Sequence, residues 1–333
     1  MDISAQNLRD RLRGRLIAAA ATPMTALGEV DLGVLADYLA SLVADGAEAL
    51  AVLAHTGRGP FLAPEVRAAV IERAVALGVP VLVGVGGSGG PEEGGPGAGG
   101  TPTVAARTRS PGAVPDGGER AAAVAQARVA ADLGAAGALV FPSAGDRPAL
   151  HEAVWQASRL PMIAFDLYTR PCPPAVLREI LRHPGVAGLK TALLSDAMGC
   201  QRAIALTQEA GRLPITGEDR MFGPSLLWGA EAALVGIAAA QVAVTAEVMR
   251  AFRGGSLAAF RAASARLDTL AEATFTDPME GYVQRMLWLA AAEGRIPDTH
   301  AHDPFGPPLP PDEQATVVQA SRAETSRGPS RPA

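Results

Sequence analysis

Lys190 is the only lysine among the 29 Lys and Arg residues of this 333-residue chain, and it stands in an apolar run, Gly185 to Leu194, that reads GVAGLKTALL. An amine near the end of a buried strand points to carbonyl chemistry. Desolvation disfavours the ammonium and leaves a nucleophile able to form a Schiff base, which a guanidinium cannot do. The plainer alternative is a lysine reaching out to a surface carboxylate; its uniqueness and position favour the nucleophile. Other candidate motifs fail on context. GVGGSGG, Gly84 to Gly90, has phosphate-loop glycines but no helix, lysine and hydroxyl behind them. THAHD, Thr299 to Asp303, has the His-x-His spacing of some metal sites but lies between prolines and reads as a solvated turn. No metal and no cofactor are expected. Cys172 and Cys200 frame neither a metal site nor a disulfide network, so a cytoplasmic setting is expected.

Eight apolar runs are available to position these groups: LIAAAATPM, ALAVLAHTG, VPVLVGVG, GALVFPSA, PMIAFDL, GVAGLKTAL, LPITGED and AALVGIAA. Ala/Leu/Arg-rich stretches of helical period, such as LGVLADYLASLVADG and PEVRAAVIERAVALG, alternate with them. Strands buried on both faces read as continuous apolar runs. The rhythm predicts an α/β fold, a (β/α)8 TIM barrel over residues 1–240, with a doubly wound open sheet as the competitor. A C-terminal helical appendix is expected over 241–320 and a disordered tail over 321–333. Residues 87–118 break the rhythm: 16 of the 32 are Gly or Pro, which predicts a disordered insertion, either a lid on the catalytic rim or an expansion without a role. RDRLRGRLIAAAATPM has arginines ahead of a short apolar run, as signal peptides do, but it leads into an acidic helix and reads as a first buried strand.

With 48% hydrophobic residues and a formal net charge of −5, the chain has a large core and no basic footprint. Nucleic acid is therefore not an expected partner. No apolar segment reaches the ~18 residues of a membrane span.

ATPM near the start, Gly28 to Asp31 before the first helix, HTGRGPFLAPEVR after strand two, GLK on strand six and TGED on strand seven together resemble the dihydrodipicolinate synthase/N-acetylneuraminate lyase family. The resemblance covers nearly the whole chain. It implies a class I aldolase-type barrel, commonly a homotetramer, whose strand-six lysine forms an imine with pyruvate or another 2-oxo acid; Lys190 matches that lysine. It further implies that Thr56 and Gly57 cradle the 2-oxo acid carboxylate, and that Arg170 aligns with an arginine some members use for a substrate carboxylate. Asp166 and Glu218 fall at the ends of strands five and seven and join the expected substrate-binding set. Where the family has a proton-transferring tyrosine on strand five this chain has Phe165, and Ser143 and Ala144 replace an aromatic pair after strand four. His55 and Tyr168 are the expected acid/base substitutes. The expected function is a Schiff-base lyase acting on a 2-oxo acid, with an aldehyde acceptor as a possible second substrate. The alternative is a silent barrel that binds a 2-oxo acid or serves as an assembly partner.

Overall fold

The computed structural model describes residues 1–87 and 116–326. The chain runs α1 (Ile3–Leu12), β1 (Leu16–Ala19), α2 (Leu32–Ala44), β2 (Ala49–Val52), α3 (Pro64–Val75), β3 (Val81–Val85), α4 (Asp116–Asp132), β4 (Gly137–Val140), α5 (Arg147–Ser158) and β5 (Met162–Leu167). It continues with α6 (Pro174–Arg182), β6 (Val186–Ala192), α7 (Ala197–Glu209), β7 (Leu213–Thr216), α8 (Phe222–Leu227) and β8 (Ala232–Val235). The appendix is α9 (Val242–Arg253), α10 (Leu257–Thr274), α11 (Tyr282–Ala292) and α12 (Glu313–Ser326). All eight strands are parallel and close in sequence order, with β8 returning to β1 from Leu16↔Ala233 to Ala18↔Val235. The fold is a (β/α)8 barrel, as the eight apolar runs predict, and not an open sheet.

Inside each apolar run the side chains still alternate. Ile17, Ala19, Ala49, Ala51, Leu82, Leu139, Ile163 and Ile215 fill the barrel. Leu16, Ala18, Leu50, Val52, Val81 and Val83 face the helices. On β6 the alternation is reset. Met162 pairs with Val186 and Ile163 with Gly188, so β6 advances two residues where β5 advances one. Such a bulge shifts the phase of everything after it. Val186 and Leu189 face the helices while Ala187 faces the barrel, and Lys190, opposite Phe165, joins the inner face. Gly188 allows this: a Cβ there would lie 2.5 Å from the Leu213 carbonyl oxygen of β7.

The apolar run behind the N-terminal arginines is β1, the first buried strand as expected, and α1 is a helix ahead of it that was not among the elements expected from the sequence. Asp2 caps it by accepting from the Ser4 amide at 2.9 Å. Ala5, Leu8 and Leu12, spaced three and four apart, pack on the barrel interior and close its lower end. The Gly/Pro-rich insertion expected over 87–118 lies, but for its ends, outside the described residues, and α4 already begins at Asp116.

The appendix shares one apolar cluster with the barrel's outer layer, since Val242, Phe260, Leu267 and Met286 join the same core as Leu39 and Leu50. Arg285, with no exposed side-chain surface, donates to the carbonyls of Thr274, Thr276, Asp277 and Pro278 and to Glu313. It thereby fixes the loop that leads into α11. A tail was expected from residue 321, but α12 continues to Ser326. Its anchor is Ser321, whose hydroxyl accepts from the Gln241 side-chain amide at 2.7 Å, together with the buried Val317. THAHD is likewise not a solvated turn. Ala301 and His302 bridge to Met24, and Ala301 and Asp303 are buried. No helix among the described residues is long and apolar enough to cross a membrane.

Candidate active site

Lys190 ends in a small cavity at the C-terminal mouth of the barrel, shared with Thr56, Phe165, Gly217, Asp219 and Tyr282. Its volume of about 30 Å³ is two or three times what one water needs. The amine is 4.3 Å from the centroid of the Phe165 ring, and only 5% of the residue is exposed. Burial pushes the amine below its usual pKa, against the pull of the Asp219 and Glu218 carboxylates. Asp219 is shifted the other way. Burial raises its carboxyl, although the Ile237 amide donates to it at 2.7 Å and Lys190 opposes the rise. An ammonium and a carboxylate thus approach each other in proton affinity, the condition for exchanging a proton. The lysine stem passes close over β7, where a Cβ on Gly217 would lie 2.5 Å from Lys190 Cε.

Tyr282, at the start of α11, brings a hydroxyl into the cavity 3.0 Å from Thr56 Oγ1. Its ring stacks on Phe275 at 4.8 Å. Burial and the charge of Glu280 hold the phenol well above its usual pKa, so it stays protonated.

A denser network lies at the rim. His55 Nε2 is 2.9 Å from Glu280 Oε2, and the Tyr168 hydroxyl donates to the same carboxylate. Arg58 donates to Glu280 at 3.0 Å and to Asp303 at 2.6 Å. Burial alone would raise the Glu280 carboxyl, but His55, Tyr168 and Arg58 hold it well below the usual carboxylate range. Burial likewise works against the Arg58 charge, and Asp303 and Glu280 outweigh it.

A profile of the dihydrodipicolinate synthetase family matches residues 12–92. Curated relatives described as 4-hydroxy-tetrahydrodipicolinate synthase include one from Anaeromyxobacter dehalogenans, 24% identical over 298 residues that span 85% of this chain and 89% of the relative. Another, from Neisseria meningitidis serogroup B, is 25% identical over 325 residues, 94% of this chain and 98% of the relative. Among solved structures, a prophage protein of the dihydrodipicolinic acid synthase family from E. coli K12, in complex with pyruvate, superposes with a TM-score of 0.77 at 19% identity, covering 93% of this chain and 98% of that one. A monomeric dihydrodipicolinate synthase variant gives 0.76 at 18% identity, covering 95% and 97%. The chain is thus similar to the dihydrodipicolinate synthetase family, by profile over residues 12–92 and by relatives of 24–25% identity over most of its length.

Of the residues that the family resemblance singled out, Lys190, Thr56, His55 and Tyr168 line the cavity. His55 lines the cavity together with Phe165, and its Nε2 is held by Glu280. The other four expected substrate contacts do not line the cavity. Glu218 is fully buried and accepts from the Leu193 and Leu194 amides at 2.7 and 2.8 Å, bracing the turn after β6. Asp166 accepts from the Cys172 amide at 2.7 Å, and burial pushes its carboxyl up to about 6. Arg170 is half-buried, and its backbone pairs with Leu167 and Arg147. The Gly57 carbonyl accepts from the Thr22 hydroxyl at 2.7 Å. Family motifs alone missed Asp219, Tyr282 and Glu280. For Asp219 a signal was present: counting by two along β7 from the inward Leu213 and Ile215 leads through Gly217 to Asp219 and leaves Glu218 on the other face.

Proposed function

We propose that this protein is a Schiff-base lyase acting on pyruvate or a related 2-oxo acid, by aldol cleavage, aldol addition or dehydration. The observation that carries the reading is a buried amine, its charge disfavoured, beside a carboxyl of raised proton affinity in a cavity at the barrel mouth. Asp219 takes a proton from Lys190, and the free amine attacks the ketone carbon. The N–C bond forms, the C–O bond breaks, and the oxygen leaves as water with one proton from the nitrogen and one from an acid of the site. The positive charge remains on the iminium, which draws electrons from the adjacent carbon. Thr56 offers its hydroxyl to the carboxylate of the acid. The pyruvate complex of the E. coli structural relative supports the choice of ligand class.

The test is borohydride trapping with pyruvate, 2-oxobutyrate and oxaloacetate, read by mass spectrometry. A reduced adduct on Lys190 is expected in the parent, with none in Lys190→Ala or Lys190→Arg while both stay folded. Turnover by Lys190→Arg, or no adduct with any of the three acids, refutes the reading. Phe165, which has no hydroxyl to offer, motivates a second reading, a barrel that binds the acid without turning it over; trapping without turnover of any aldehyde supports it. Assembly as a homo-oligomer and a cytoplasmic setting belong to the same proposal. Because one structural relative is described as monomeric, sedimentation decides the first.

A further inference from the structure

Imine chemistry needs a group that hands a proton to the departing oxygen and takes one from the adjacent carbon. Phe165, directly opposite Lys190 on β5, can do neither. His55 and Tyr168 both spend hydrogen bonds on Glu280 at the rim. Asp219 accepts from the Ile237 amide and attracts the Lys190 ammonium, whose proton it takes before attack. Tyr282 is the remaining acid. It arrives from the appendix rather than from a barrel strand, and Arg285 holds the loop that delivers it. Gly236 backs the pair it forms with Thr56: a Cβ there would lie 3.0 Å from the Tyr282 ring and 3.4 Å from Thr56 Oγ1.

We propose that Tyr282 is the proton-transfer residue of this site, working in hydrogen bond with Thr56, so that the C-terminal appendix completes a catalytic centre that the barrel alone leaves unfinished. The proposal rests on the imine reading of Lys190. In the carbinolamine the phenol O–H passes its proton to the hydroxyl on the former ketone carbon. The C–O bond breaks, water leaves, and the nitrogen lone pair closes the iminium. The phenolate, stabilised by that adjacent positive charge, then takes a proton from the neighbouring carbon. The C–H electron pair moves into the new enamine double bond, neutralising the iminium, and Tyr282 is a phenol again. No proton is gained or lost on the residue over the two steps. Burial that keeps the phenol protonated at rest suits the first of them.

Pyruvate in D2O tests this without a second substrate, because enamine formation exchanges the methyl hydrogens and NMR follows the loss of their signal. The parent is expected to exchange them. Tyr282→Phe, which keeps the ring stacked on Phe275, should slow exchange at least ~100-fold, while the end-point yield of borohydride adduct on Lys190 stays within about twofold of the parent. Thr56→Val, which removes the phenol's partner, should slow exchange as well. Exchange at the parent rate in either folded variant overturns the assignment. So does loss of exchange in Tyr168→Phe or His55→Asn while Tyr282→Phe exchanges like the parent. Failure of the parent to form any adduct refutes the imine reading and this proposal with it, whereas normal trapping with unchanged exchange in Tyr282→Phe refutes this proposal alone.

Discussion

The floor of the cavity and its rim use similar residue types to opposite ends. At the rim Arg58, His55 and Tyr168 converge on Glu280, and Arg58 also grips Asp303, so each charge has a compensating partner. At the floor Lys190 faces an aromatic ring, and Asp219 accepts from the Ile237 amide. The rim closes THAHD and the loop before α11 over the barrel. Saturated polar groups hold shape; groups whose charged forms are disfavoured are left able to react.

The contrast is most easily broken at the floor. Gly217→Ala sets a methyl against the lysine stem, and a misplacement of about 1 Å at a reacting group costs about 100-fold. The rate of adduct formation should fall by that order, and the melting temperature should fall as well, because the methyl would also lie 2.6 Å from the Thr191 carbonyl oxygen of β6. A variant that traps pyruvate at the parent rate would show that the amine tolerates displacement.

At the rim the loss should appear as stability. Arg58→Met leaves Asp303 buried without its guanidinium, and breaking a buried pair costs about 3–5 kcal/mol. Urea unfolding should show a drop of that size, with a smaller one in Arg58→Met/Asp303→Leu, where no charge is stranded. Equal losses in the single and double variants would mean that Arg58 acts through packing alone.

The smallest effect lies away from the mouth. His151 on α5 is buried, donates from Nδ1 to the Arg147 carbonyl at 2.7 Å, and is pushed down to about 4 by burial. A histidine kept neutral by the fold contributes stability that is complete above its ordinary pKa near 6.5 and is lost as pH falls through about 4. Asp166, raised to about 6, works in the opposite sense over that window, so the measurement is the difference between parent and variant. His151→Leu should lose about 2–3 kcal/mol less than the parent between pH 6.5 and 4. Parallel pH curves would contradict this.

The barrel was legible because burial on both faces writes each strand as an unbroken apolar run, and Lys190 was legible because it is unique. What escaped was set by geometry across long separations. Tyr282 looks like one more apolar position on an amphipathic helix, and only the closing of α11 over the mouth, 226 residues from Thr56, gives its hydroxyl a partner. Glu280 is an ordinary acidic residue until Arg58, His55 and Tyr168 surround it. Glu218 and Asp219 are chemically alike neighbours, and strand phase alone sends one to the turn and the other to the cavity. The α1 helix was masked by its arginines, although Ala5, Leu8 and Leu12 carry helical spacing.

Strand phase also decides what can be carried over from one chain to another by comparing letters. The inward aim of Lys190 depends on the extra residue that β6 takes up beside Gly188. Deleting Ala187 would leave the Gly-Leu-Lys triplet, its composition and its apolar surroundings in place, yet would turn the amine out among the helices. In an alignment such a chain would still score as possessing its lysine, although the site would be gone. For relatives this distant, the residue spacing ahead of the lysine is therefore as much a part of the candidate site's signature as the lysine itself.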